Sequence, residues 1–155
     1  MNITLARDLA LSLMAHYQLS DWTFKFNRKK SSFGVCYFFE QRIELSSIIV
    51  QCNSIEEVRD TILHEIAHAI AFKLYNDTGH GIHWQEICKV IGAKPERFAG
   101  ESAVCIKPKH YMVNAETGEK LRAYHRLPNW HKEVGTRFIT GKRIETIGKL
   151  RFIPA

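Results

Sequence analysis

The stretch TILHEIAHAIAF, residues 61–72, has the composition of a buried helix but carries three ionisable side chains. Isoleucine, leucine, alanine and phenylalanine fill most positions, and His64, Glu65 and His68 interrupt them. Burying a polar side chain is costly unless another group pairs with it. Because residues four apart lie on one face of a helix, His64 and His68 can offer ring nitrogens to the same ion. The stretch therefore predicts a helix built around a divalent metal.

The three residues form the pattern HExxH, in which each position has its own chemistry. Neutral histidines are ordinary zinc ligands. Glu65 is rotated to the side of the metal, where it can reach a water molecule and act as a general base. The alternative is two histidines that donate to backbone carbonyls inside a core helix. A capping box at Ser54 and Glu57, shortly before the motif, indicates that the motif lies mid-helix and favours the metal site.

A catalytic zinc site takes three protein ligands and a water, so a third ligand is expected downstream. The segment GHGIHWQE, residues 79–86, offers His80, His83 and Glu86. Glycines on both sides of His80 permit a sharp turn that can bring its imidazole under the helix. Geometry favours His80, with His83 second and Glu86 as the carboxylate alternative. A histidine that is not used would lie at the surface or contact substrate.

The composition is typical of a soluble globular protein, with 155 residues, 45% hydrophobic and 25% charged. No apolar run approaches the roughly 18 residues of a membrane span. Arg7 and Asp8 stand where a signal peptide would have its apolar core. We therefore expect a cytoplasmic protein with no membrane partner. The cysteines form no CxxC pair and are expected to be free thiols: Cys36, Cys52, Cys88 and Cys105.

The net charge of +6 is unevenly distributed. Residues 1–93 hold 9 Lys/Arg against 10 Asp/Glu, whereas residues 94–155 hold 13 against 6. A basic segment attracts polyanions, nucleic acid first among them, and aromatic side chains within it can stack on unpaired bases. The alternatives are a solvated basic surface and aromatics that pack inside hairpins. The aromatics concerned are Tyr111, Tyr124, Trp130, Phe138 and Phe152.

Hydrophobic periodicity predicts an α+β fold. The first part is predicted to contain, in order, a helix over residues 3–18, a strand over 21–27, one or two strands over 35–47, a long helix over 54–76 and a short helix ending at Gly92. After Pro95 the pattern changes to β-hairpins, one around NAETGE at residues 114–119 and another turning at ITGK, residues 139–142, with IGK, residues 147–149, as a second candidate turn.

The motif HEIAHA followed about a dozen residues later by HGIHW resembles the SprT-like (Spartan-type) zinc metalloprotease family. The family pattern is HExxH and then HGxxW or HGxxF. By position, the resemblance implies that His80 is the third ligand and that Trp84 packs behind it, while His83 falls on a variable position. It covers roughly residues 5–95. It implies a minimal zincin-type α+β fold, one zinc ion, and protein substrates that are bound or crosslinked to DNA.

The resemblance weakens in the C-terminal part. Many SprT-like proteins continue with a zinc ribbon built on two CxxC pairs, and this chain has none. We expect a SprT-like metalloprotease domain over residues 1–100 and a basic, β-rich extension over residues 101–155. We interpret the extension as a ribbon-like module that has lost its metal; the alternative is an unrelated β extension of the core. The basic extension is the predicted contact for DNA, with single strands favoured.

The motif predicts a zinc-dependent endopeptidase in which Glu65 activates water, and the resemblance to the SprT-like family implies that it acts on DNA-bound or DNA-crosslinked proteins. One alternative is a non-catalytic, zinc-containing module that binds nucleic acid. Another is a metalloprotease with a soluble target and no dependence on DNA. The expected location is the cytoplasm, in association with the nucleoid if DNA activates the enzyme.

Overall fold

The computed structural model describes residues 1–96 and 107–155 and divides the chain into two compact units, Met1–Cys105 and Ile106–Ala155. The expected domain boundary after residue 100 and the expected free thiol of Cys105 lie outside the described residues. Helices combined with two small sheets confirm the predicted α+β class. Within the described ranges, no helix has both the length and the apolar character needed to cross a membrane.

In the first unit, residues 1–96 form four helices and a three-stranded sheet. Its elements are α1 Ile3–His16, β1 Thr23–Asn27, β2 Gly34–Tyr37, β3 Arg42–Ser46, α2 Ser47–Cys52, α3 Ile55–Tyr75 and α4 Ile82–Ile91. The strand order is β1-β3-β2, in which β1 runs parallel and β2 antiparallel to the central β3. Strand β2 is therefore an edge strand, and it contacts α3.

Helix α3 begins and ends where the sequence predicts. The Ser54 hydroxyl accepts a hydrogen bond from the Glu57 N–H at 3.3 Å, which satisfies one of the free donors of the first turn. Acidic side chains in that turn complement the helix dipole. At the other end Asn76 adopts a left-handed conformation, with φ at 53°, and stops the helix. The HExxH motif consequently lies in the middle of a 21-residue helix.

The core of the first unit forms around α3. Helix α1 buries Ala6, Ala10 and Met14, which recur every four residues and so form one stripe, and α1 contacts α3. Strand β3 contributes Ile43 and Leu45, both fully buried. Helix α3 is therefore packed against α1 and β3, and its histidines project from a helix that belongs to the core.

Helix α2 was not predicted. It follows β3 without a loop, because the Ser46 hydroxyl accepts from the Ile49 N–H at 3.3 Å and caps a new helix at the end of the strand. The apolar run that it contains has no clear period, so the sequence pattern alone could not distinguish a strand from a helix.

The second unit is a three-stranded antiparallel sheet with two short helices. Its elements are β4 His110–Asn114, β5 Lys120–Tyr124, a 3-10 helix His131–Thr136, α5 Arg143–Thr146 and β6 Leu150–Pro154. The strand order is β5-β4-β6. The predicted hairpin around NAETGE is confirmed: the Asn114 side chain accepts from the Glu116 N–H at 2.9 Å, and Gly118 has a φ of 73°.

The second predicted hairpin is wrong. The Thr146 hydroxyl donates to the Lys142 carbonyl at 2.6 Å and accepts from the Ile139 N–H at 2.9 Å, so the segment around ITGK closes into a turn followed by α5. Strand β6 pairs instead with β4, which is distant in sequence. The alternation of apolar and polar residues correctly predicted a strand at the C-terminal end of the second unit, but it could not identify the partner strand.

Candidate metal centre

Three histidine side chains converge on one point in the first unit. Helix α3 places His64 and His68 one turn apart, and the loop before α4 brings His80 against them. The Nε2 atom of His80 lies 3.1 Å from that of His68 and 3.3 Å from that of His64. The structure therefore brings together all three residues that the sequence predicted as ligands.

The spacing of these nitrogens fits a zinc ion. Tetrahedral zinc with Zn–N bonds of 2.0–2.1 Å has its nitrogen ligands about 3.3 Å apart, close to the observed 3.1 and 3.3 Å. A neutral imidazole carries a single N–H, so three converging nitrogens cannot all be satisfied by one another. A shared cation satisfies all three lone pairs at once.

Burial keeps two of the imidazoles neutral. It lowers the pKa of His64 to about 4 and that of His68 to about 3, with the neighbouring imidazoles adding to the effect. Only a neutral imidazole can ligate a metal. The Nδ1 atom of His68 is buried and has no hydrogen-bond partner within the described ranges. The site is thus prepared for a cation at neutral pH.

Asp77 organises the loop that carries His80. Its carboxylate accepts from the Gly79 N–H at 2.8 Å, and the His80 carbonyl accepts from the Gln85 side chain at 3.1 Å. Neither Gly79 nor Gly81 adopts a left-handed backbone, so neither position requires a glycine for that reason. The hydrogen bond to the Asp77 side chain stabilises the turn.

The two alternative third ligands lie outside the cluster. The His83 ring stacks on Tyr75, with centroids 4.2 Å apart, and its Nδ1 atom lies 3.5 Å from the Asp77 carboxylate. Glu86 is exposed on α4. The structure therefore favours His80 over both.

Trp84 forms the back wall of the histidine cluster. It is completely buried, and its ring lies 4.5 Å from that of His80 and 5.3 Å, nearly parallel, from that of His68. Its indole N–H points to the His64 carbonyl at 3.5 Å. The aromatic that the resemblance placed behind His80 thus contacts all three histidines.

Glu65 lies beside the cluster and is 6% exposed. Burial raises the pKa of its carboxyl to about 8 in the absence of a metal. The backbone of β2 runs so close that a Cβ atom on Gly34 would lie 2.7 Å from Cγ and Oε1 of Glu65. Sequence reasoning missed Gly34, although a glycine at the start of a strand often marks a close approach.

A cleft of about 540 Å³ opens beside these residues. Strand β2 forms one wall and α3 the other. Cys36 also lines the cleft, and burial raises the pKa of its thiol well above the ordinary value, so the thiol is neutral. Within the described part of the chain, the other free cysteines are Cys52 and Cys88. The cleft-lining residues nearest the metal centre are Gly34, Phe38, His64, Glu65, His68 and His80.

Comparison with known proteins places this site in a family. The profile of the SprT-like family matches residues 5–110. The chain belongs to the SprT-like family. Curated relatives of this SprT-like chain include the DNA-dependent metalloprotease SPRTN of Xenopus tropicalis, 30% identical over 65% of this chain and 19% of the relative. Protein SprT of Pseudomonas putida is 30% identical over 51% of this chain and 55% of the relative.

The chain therefore spans about a fifth and about half of the lengths of these two relatives. Among solved structures, the metallopeptidase zymogen jannalysin of Methanocaldococcus jannaschii matches with a TM-score of 0.47 and 17% identity, over 63% of this chain and 85% of that chain. The zymogen abylysin of Pyrococcus abyssi matches with a TM-score of 0.44 and 23% identity, over 63% and 84%.

Proposed function

We propose that this SprT-like chain is a zinc-dependent endopeptidase. His64, His68 and His80 hold one zinc ion, and Glu65 is the general base. The observation that carries the proposal is the position of Glu65, a buried carboxyl beside three converging imidazoles at an open cleft. A purely structural zinc site has no use for an acid–base group at that position.

When bound, zinc supplies the Lewis acidity that makes peptide hydrolysis accessible at neutral pH. Burial keeps His64 and His68 neutral, and imidazole ligands add no negative charge that would diminish the positive charge of the cation. Glu65 takes a proton from the attacking water and passes it to the amine that leaves. Packing of Glu65 against the Gly34 backbone fixes the carboxylate for both transfers.

We further propose that the substrates are proteins bound or crosslinked to DNA. A relative whose name states DNA dependence supports this, as does the charge of the second unit. Residues 107–155 hold 11 Lys/Arg against 4 Asp/Glu, and only Glu116 and Glu119 form ion pairs with lysines there within the described residues. Most of the cations consequently remain available for phosphates.

Single-stranded DNA is the favoured activator. Tyr124 packs edge-on against Trp130 and Phe152, which are tilted relative to each other, with ring centroids 5.2–6.5 Å apart, and all three residues are partly exposed. The guanidinium of Arg137 lies 5.2 Å from the Trp130 ring. Partly exposed aromatics beside cations can stack on unpaired bases. The cytoplasmic location, nucleoid-associated if DNA activates the enzyme, stays a prediction from the sequence.

The test is cleavage of a DNA-binding protein by the zinc-loaded chain, with and without single-stranded DNA, beside Glu65→Gln. Cleavage that requires both DNA and Glu65 is the expected result. Cleavage that requires Glu65 but ignores DNA would support a metalloprotease with a soluble target. A zinc-loaded chain that binds DNA and cleaves nothing in either condition would support the non-catalytic module.

A further inference from the structure

Phe39 is a large apolar side chain that is 89% exposed, in the turn between β2 and β3. The Gln41 N–H donates to the Phe38 carbonyl at 3.2 Å and closes this turn. The phenyl ring is therefore presented to solvent by an ordered segment. Single exposed apolar residues are common on protein surfaces, so the significance of Phe39 depends on what lies next to it.

Phe39 is the outer member of a continuous row of aromatic rings. Its ring lies 5.8 Å from that of Phe72, and the Phe72 ring lies 5.1 Å from that of Phe38. Both spacings are typical of favourable aromatic pairs. We call Phe38, Phe72 and Phe39 the aromatic ladder.

The inner end of the aromatic ladder reaches the metal centre. Phe38 lines the cleft, and its ring lies 6.2 Å from that of His68. Phe72 follows His68 by four residues on α3, so it lies on the same helix face one turn further along. The ladder is thus an apolar surface that leads directly from the reacting centre to the outside of the protein.

We propose that the aromatic ladder binds an apolar or aromatic side chain of the protein substrate, next to the bond that is cleaved. Phe39 and Phe72 are then specificity determinants of the endopeptidase, and this inference rests on the proposed function. The occupant is a substrate side chain because the ladder is continuous with the cleft. A chain segment that crosses the cleft near Glu65 passes within reach of Phe38 at its inner end.

The test uses an unstructured casein, digested by the zinc-loaded full chain in the presence of single-stranded DNA, with every cleavage site mapped by mass spectrometry. The wild type is expected to enrich Phe, Tyr, Leu or Met at one position beside the cleaved bond. Phe39→Ala should reduce that preference roughly tenfold, the scale of lost apolar contacts in a specificity pocket. Phe39→Leu should retain most of it.

Val90→Ala is the matched control, because Val90 is also strongly exposed, at 85%, but is not part of the aromatic ladder. It should leave the preference unchanged. An unaltered preference in Phe39→Ala, or a wild type without any apolar preference, would overturn the inference while the endopeptidase assignment stands. A change of oligomeric state in Phe39→Ala, with specificity unaltered, would assign the ladder to a second copy of the chain. No cleavage by the wild type would remove both proposals together.

Discussion

The backbone of Gly34 and the side chain of Glu65 approach so closely that a single methyl group would not fit between them: a Cβ on Gly34 would lie 2.7 Å from both Cγ and Oε1 of Glu65. Such distances are well inside van der Waals contact, so any larger residue must displace the carboxyl. The backbone of the edge strand β2 thus limits where the side chain of Glu65, the proposed base, can lie.

Gly34→Ala is expected to retain the fold and the zinc while lowering kcat by about 10–100-fold, because small displacements of a catalytic group cost rate on this scale. Steady-state cleavage and zinc content of the variant check this. Gly135→Ala is the control, since a Cβ there would meet no atom within 4 Å. Full activity in Gly34→Ala would show that the Glu65 position is not set by β2.

Trp84 is expected to stabilise both the core and the histidine cluster. Trp84→Ala should destabilise the first unit by about 3–5 kcal/mol, as for other large buried aromatics. Trp84→Phe keeps an aromatic ring behind the histidines, so it should reduce the free energy of unfolding by less than Trp84→Ala does. Chemical denaturation gives the free energies, and zinc titration gives the affinities. Equal zinc affinity in the wild type and a folded Trp84→Ala would contradict the role of the indole in positioning the ligands.

The metal-free protein should show a pH dependence that belongs to Glu65. Its pKa in the folded protein is raised from 4.5 to about 8. The contribution of protonated Glu65 to the free energy of unfolding is therefore complete below pH 4.5 and is lost as the pH rises towards 8. Glu65→Gln removes this loss. As the pH rises from 5 to 8, the free energy of unfolding of the variant should therefore increase by on the order of 3 kcal/mol relative to that of the wild type.

Denaturation of both metal-free proteins at several pH values measures this difference. The histidines have the opposite dependence: their pKa values are lowered from 6.5, so they cost stability as the pH falls below 6.5. They are present in both proteins and largely cancel in the comparison. If the difference in free energy of unfolding between the two proteins is constant from pH 5 to 8, Glu65 is already ionised in the folded metal-free state.

The parts of the site that were predictable depend on local geometry. Helical spacing alone puts His64 and His68 on one face, and the capping box at Ser54 and Glu57 marks the start of that helix. Among His80, His83 and Glu86, the choice rested on the glycines and on the family resemblance. The structure favours the same residue, and it adds a hydrogen bond from the Gly79 N–H to the Asp77 side chain that the sequence did not reveal.

The parts that were missed depend on contacts between residues far apart in the chain. Gly34 meets Glu65 only because β2 packs along α3. The aromatic ladder likewise joins a turn of the sheet to the last part of α3. In the tail, the pairing of β6 with β4 depends on a turn closed by Thr146, which alternation of apolar residues does not reveal.

The roles of His64 and Glu65 are tested together by measuring zinc content and peptide-bond cleavage in the wild type, Glu65→Gln and His64→Ala. We expect one zinc per chain and cleavage in the wild type, one zinc without cleavage in Glu65→Gln, and neither in His64→Ala. Cleavage by Glu65→Gln at the wild-type rate, or a fully zinc-loaded His64→Ala, would contradict these roles.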